Sequence, residues 1–204
     1  MNLSRDLEQL FINEEKITFQ EFLDQTQSKS YAFLLILLAL PAALPVPAPG
    51  YATPFGIILV LLGFQILKRR VTPWFPRWAL QKELPVTKGS ALLKSMIGFL
   101  KFFEVFLHPR LRFLVRGGFY RLLGALVMLC GASMIIPLPL TNTVPSFAIF
   151  VIGLAFLEED GLAALAGMLS ALAGLLLSGT LLYFYFRLGS AGIGVIENWL
   201  SNLF

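Results

Sequence analysis

The chain has 204 residues, 57% of them apolar and only 14% charged, with a mean hydropathy of +0.77. That composition excludes a disordered chain and argues against a soluble enzyme. The net charge of +4 is laid out in blocks: residues 1–29 hold three bases and six acids, residues 68–121 twelve bases and two acids, and the rest one base and four acids.

Residues 1–29 are acidic and amphipathic, unlike a cleavable signal, which opens on a basic region followed by a short apolar core. They are expected to form two short cytoplasmic helices outside the bilayer. Ser4 caps the first, with Leu7, Leu10 and Phe11 on one face. Thr18 and Glu21 have capping-box spacing for the second, with Ile17 and Phe22 placed as a hydrophobic staple.

Three stretches carry no charge: Ser30 to Leu67, Leu122 to Leu157 and Gly161 to Phe186. Each exceeds the roughly 20 apolar residues that cross a hydrocarbon core of about 30 Å. The first is interrupted by Pro45, Pro47, Pro49 and Gly50, and Pro54 suits the first turn of a returning helix. Residues 30–67 are therefore predicted to be a Pro-broken membrane hairpin, each arm about 22 Å long and short of a full crossing.

Residues 68–117 form a basic linker that opens on Lys68, Arg69 and Arg70, and its positive charge assigns it to the cytoplasm. Trp74 and Trp78 read as interfacial anchors. Between Gly89 and His108, Lys94, Lys101, Glu104 and His108 share one face of an otherwise apolar helix, the pattern of a segment lying in the interface and touching lipid head groups. His108 precedes Pro109 and reads as a helix-end residue rather than a ligand.

Residues 118–160 repeat the hairpin design. Pro45 and Pro47 map onto Pro137 and Pro139 at an offset of 92, Pro54 onto Pro145 at 91, and Gly63 onto Gly153 at 90. Duplicated, Pro-interrupted apolar segments mark substrate sites of transporters built from broken helices. The candidate path comprises Pro45, Pro47, Pro49, Gly50, Thr53 and Pro54 with Pro137, Pro139, Asn142, Thr143 and Pro145. Gly50, Thr53, Asn142 and Thr143 offer its polar contacts. Lys68, Arg69 and Arg70 close the first hairpin and Glu158, Glu159 and Asp160 the second. Two kinked hairpins that merely pack together remain the plain alternative.

Residues 161–187 read as a transmembrane helix. Its small residues Ala163, Gly167, Ser170, Ala171, Gly174 and Ser178 allow close approach of a neighbour, within the chain or in a homodimer. Residues 188–204 form a C-terminal tail. The expected fold is an all-α integral membrane protein, a single membrane domain of duplicated Pro-broken, re-entrant-like helical hairpins plus a C-terminal transmembrane helix and interfacial amphipathic helices.

Several residues together carry a family resemblance: Leu38 to Pro41 running into Pro45 to Gly50, Gly63 to Gln65, Lys68 to Arg70 with Pro73 to Pro76, Ile136 to Pro139 with Asn142, and Leu157 to Gly161. In this ordered combination, spread over nearly the whole length, the chain resembles the ExoD family of bacterial membrane proteins. The resemblance implies a multi-pass protein of the bacterial inner membrane that takes part in exopolysaccharide production, in export or its regulation. Family members often carry Glu, Arg, Asp and Gly after the second hairpin, where this chain has Glu158, Glu159, Asp160 and Gly161. In architecture alone, the hairpins also resemble the re-entrant loops of DedA-type lipid transporters. The uncharged stretches hold no carboxylate, so proton coupling would have to recruit Glu158, Glu159 or Asp160.

The leading expectation is a small transporter-like protein, and the alternative is a non-transporting scaffold or regulator of a polysaccharide synthase complex. An enzyme is not expected, because one histidine and an uncharged core assemble no catalytic set. With one cysteine, Cys130, neither a cofactor nor a metal is expected. The expected partners are membrane lipids, a second copy of the chain, including an antiparallel one, and synthase or export components, with no nucleic acid. Topology stays open. Lys94, Lys101 and Glu104 argue against a crossing and so for parallel repeats, while the reversed charge of the two hairpin ends argues for inverted ones.

Overall fold

The computed structural model describes residues 18–43, 52–82, 108–136 and 142–188. The helix expected around Ser4, the interfacial helix before His108, the staple residue Ile17 and the C-terminal tail lie outside them. Among the described residues the chain is helical, with no β-strand.

Helix α1 (Phe19–Thr26) starts at the capping box expected of Thr18 and Glu21. The Glu21 amide donates to Thr18 Oγ1 at 3.3 Å and the Thr18 amide to Glu21 Oε2 at 2.8 Å, so two otherwise orphaned donors are satisfied reciprocally. Phe22 and Leu23 bury the inner face. A 3-10 turn (Gln27–Lys29) then leads into α2 (Ser30–Ala43), with the Thr26 and Ser30 hydroxyls 2.7 Å apart at the junction.

Helix α2 is apolar on every side, runs through Pro41 and is buried from Ser30 to Ile36. After the first Pro-rich segment, α3 (Ala52–Leu67) takes Pro54 into its first turn. A short α4 (Arg77–Leu80) follows, then a 3-10 turn (Arg112–Val115), α5 (Gly117–Ile135), α6 (Thr143–Glu158) and α7 (Gly161–Leu188).

The helices pair across the two sequence halves. Helix α3 packs on α5 and α2 on α6, both far more extensively than α2 packs on α3. The α3–α5 contact is antiparallel and backbone-close: Gly63 lies against Gly124 and Met128, and Gly56 against Gly131. On α6, Gly153 lies against Ala32 and Ile36 of α2. Of the small-residue stripe of α7, Gly167 packs against Ile152 and Gly174 against Pro145 within the chain.

These pairings place the helix ends. Arg69, just past α3, donates from Nη2 to the Gly117 carbonyl at 2.8 Å, and Arg116, just before α5, pairs with Glu159 at the end of α6. Lys68 to Arg70 and Glu158 to Asp160 therefore lie at one end of the bundle. At the other end Thr53 donates to the Ile135 carbonyl at 3.3 Å, so α3 begins where α5 finishes. The helix pairs α2–α3 and α5–α6 thus point the same way.

Among the described residues, two helices are long and apolar enough to cross a membrane, Gly117–Ile135 and Gly161–Arg187. The chain itself buries only 39% and 33% of their apolar windows, unlike the core helix of a soluble protein. Leu169, Leu176 and Phe186 on α7 are 68%, 72% and 78% exposed, a surface suited to lipid. Helices α2, α3 and α6, of 14, 16 and 16 residues, rise only about 21–24 Å.

Candidate functional site

Of the candidate path residues, Pro45, Pro47, Pro49, Gly50, Pro137 and Pro139 lie outside the described residues. The others line the ends of the helices that flank them. Thr53 and Pro54 open α3, Thr53 tied to the last turn of α5 and Pro54 exposed. Thr143 and Pro145 open α6, and Pro145 is buried beneath Gly174. Ser146 closes this first turn by donating from Oγ to the carbonyls of Asn142 at 2.5 Å and Thr143 at 3.0 Å. Asn142 holds the N-cap position of α6 but makes no capping bond with its side chain. Its Oδ1 is buried and, among the described residues, has no hydrogen-bond partner.

The charged ends have distinct roles. Arg69 adopts a positive φ of 56° and Glu159 one of 52°, so both stand in left-handed turns that stop their helices. Lys68 lies over the Phe64 ring, 5.5 Å from its centre. Gln65 holds the linker by a reciprocal amide pair: its Nε2 donates to the Trp74 carbonyl at 3.1 Å, and the Trp74 amide donates to its Oε1 at 2.5 Å. Asp160 is 3% exposed and begins α7. Its Oδ1 accepts from the amides of Leu162 at 2.8 Å and Ala163 at 3.4 Å, and its Oδ2 accepts from the His108 amide at 3.1 Å. His108 is thereby fixed through its backbone amide.

Glu159 is clamped by Arg112 and Arg116, two arginines of the basic linker. Arg116 donates from Nη2 to both carboxylate oxygens, at 2.9 and 2.8 Å, and Arg112 Nε lies 3.3 Å from Oε2. The four-residue spacing of Arg112 and Arg116 is the only sequence sign of this pair. Beside the clamp is a cavity of about 340 Å³. Lys29, Arg112, Arg116 and the two glutamates stand around it, and Tyr31, Ala32, Val115, Tyr120, Phe156 and Leu157 supply its apolar wall. Tyr120 and Phe156 pack with ring centres 5.0 Å apart.

Over residues 3–180 the chain matches the family model described as "Exopolysaccharide synthesis, ExoD". The chain belongs to the ExoD family. It is 34% identical over 207 residues to the "Uncharacterized protein slr1875" of Synechocystis sp., a match covering 99% of this chain and 97% of that protein. It is also 32% identical over 155 residues to "Protein ExoD" of Rhizobium meliloti, covering 74% of this chain and 64% of that protein. No solved structure matches the chain. Membership in the ExoD family implies involvement in exopolysaccharide synthesis and association with the membrane.

Proposed function

We propose that this chain is a non-enzymatic, transporter-like protein of the bacterial inner membrane, with a path for a polysaccharide precursor at the Pro-rich segments 44–51 and 137–141. Asn142 carries the reading. Its amide oxygen is buried without a partner among the described residues, at the end of the bundle where α3 begins beside α5. An unpaired buried acceptor costs about 1–3 kcal/mol, and a sugar hydroxyl is a donor that removes this cost.

Helix length and packing support a re-entrant architecture. Helices α2, α3 and α6 fall short of a hydrocarbon core of about 30 Å, so the Pro-rich segments would sit inside it. The contacts also support a duplicated origin. Gly63 rests on Gly124 and Met128, Gly153 on Ala32 and Ile36, and the two sets map onto each other at offsets of 90, 92 and 92. The basic end of the bundle then faces the cytoplasm. The exposed Leu169, Leu172 and Leu176 of α7 are the face left for a second copy.

The reading is tested in a Cys130→Ala background with single cysteines at Thr53 and Asn142. A hydrated path lets a small methanethiosulfonate reagent label both. If both are as inert as a cysteine at the buried Ile149, the path is refuted. Proteoliposomes holding the protein should also take up labelled oligosaccharides of the host polysaccharide, and Asn142→Leu should abolish that uptake.

A second reading is a non-transporting scaffold of a synthase complex. The observation favouring it is the basic end, where Trp74 and Trp78 are 61% and 67% exposed. Impermeable proteoliposomes together with a co-purifying synthase would select it.

A further inference from the structure

The cavity lies at the basic end of the bundle, opposite Thr53 and Asn142, and its chemistry is different. Lys29, Arg112 and Arg116 bring three positive charges to it, against Glu158 and Glu159. Its inner wall is apolar and firmly packed: Tyr31 is 2%, Leu157 3% and Val115 6% exposed. A charged rim over an apolar wall, where α2 and α5 enter the apolar body, fits an amphiphile with an anionic head.

We infer that this cavity binds the phosphate ester of an acidic membrane lipid, with Arg112 and Arg116 as its ligands and Glu159 as an internal competitor. The clamp leaves capacity for such a ligand. Arg116 engages both Glu159 oxygens through the single nitrogen Nη2, so its Nε and Nη1 donors take no part in that pair. Arg112 approaches Glu159 through Nε, 3.3 Å from Oε2. A guanidinium presents five N–H donors in a planar fork that matches phosphate geometry. Lys29, on the 3-10 turn across the cavity, adds a third charge, and among the described residues it forms no ion pair. Glu159 is exposed enough to swing away, its side chain being 41% accessible. The Tyr31 and Phe156 wall then receives the glycerol and first methylene groups of the lipid.

The test uses the full chain in neutral detergent micelles and a fluorescent short-chain phosphatidic acid as probe, with unlabelled lipids and phosphates as competitors. Phosphatidic acid should compete well and phosphatidylcholine poorly, because the choline cation opposes the arginines. Arg112→Gln with Arg116→Gln should weaken binding at least about tenfold. Arg77→Gln, a basic change at the same end but outside the cavity, should leave binding unchanged. Glu159→Gln should tighten binding by about threefold, since the ligand no longer competes with a surface ion pair. A weakening in Glu159→Gln, or an equal loss in Arg77→Gln, would overturn the site. Inorganic phosphate or glycerol phosphate competing as well as phosphatidic acid would overturn the lipid and leave a soluble phosphate ester as the occupant.

Discussion

Gly63 of α3 and Gly124 of α5 meet backbone to backbone: a Cβ on Gly63 would lie 2.8 Å from the Gly124 carbonyl oxygen and 2.5 Å from the Met128 nitrogen. Backbone cannot yield as a flexible side chain does, so even a methyl group must push the two helices apart. Gly63→Ala is expected to destabilise the fold by about 1–3 kcal/mol. Gly179→Ala, where nothing lies within 4 Å, should be neutral or stabilising by up to about 1 kcal/mol. Melting temperatures in detergent separate the two, and equal values would contradict the packing.

Gln65 replaces a missing stretch of secondary structure by pairing its side-chain amide with the Trp74 backbone. Gln65→Leu preserves size but leaves that backbone amide and carbonyl without partners, a loss of about 1–3 kcal/mol. The linker should loosen, shown by faster proteolysis after Arg77 and a shift in tryptophan emission. An unchanged cleavage rate would argue against the contact.

Asp160 ties the start of α7 to His108 through three backbone amides. Asp160→Ala should cost about 1–2 kcal/mol, within the range for losing an N-cap. Asp160→Asn keeps one acceptor and should lose less. Thermal unfolding of both variants checks the order, and an alanine variant as stable as the parent would remove the capping role.

Arg69 and Glu159 stand at one end of the bundle, joined through Arg116 and Gly117. Single cysteines at the two positions, with Cys130 replaced, should react with an impermeant thiol reagent from the same side of the membrane. Labelling from opposite sides would require an inverted arrangement and would refute the α3–α5 pairing.

Glu21 is exposed, and hydrogen bonds from the Thr18 amide and hydroxyl hold its carboxyl below the usual range. A depressed folded pKa means that the capping box contributes fully above the unfolded value of about 4.3 and is lost as pH falls through the folded one. Amide exchange in α1, divided by its intrinsic rate at each pH, should therefore accelerate on acidification below pH about 4. Thr18→Ala should accelerate it already at neutral pH and flatten that pH dependence. A steep dependence retained in Thr18→Ala would assign it to another group.

What the sequence determined by itself is local. The capping box at Thr18 follows from residue spacing, and the long span of α7 follows from an uninterrupted apolar run. Tertiary structure decided the partners. Helices α2, α3, α5 and α6 are apolar around most of their circumference, so no single face announces its neighbour. The choice is made by close contacts such as Gly63 with Gly124, which lie 61 positions apart. The clamp of Arg112 and Arg116 on Glu159 has the same origin. Two unremarkable arginines in a basic linker reach an acidic helix end more than 40 residues away only because α5 begins beside the end of α6.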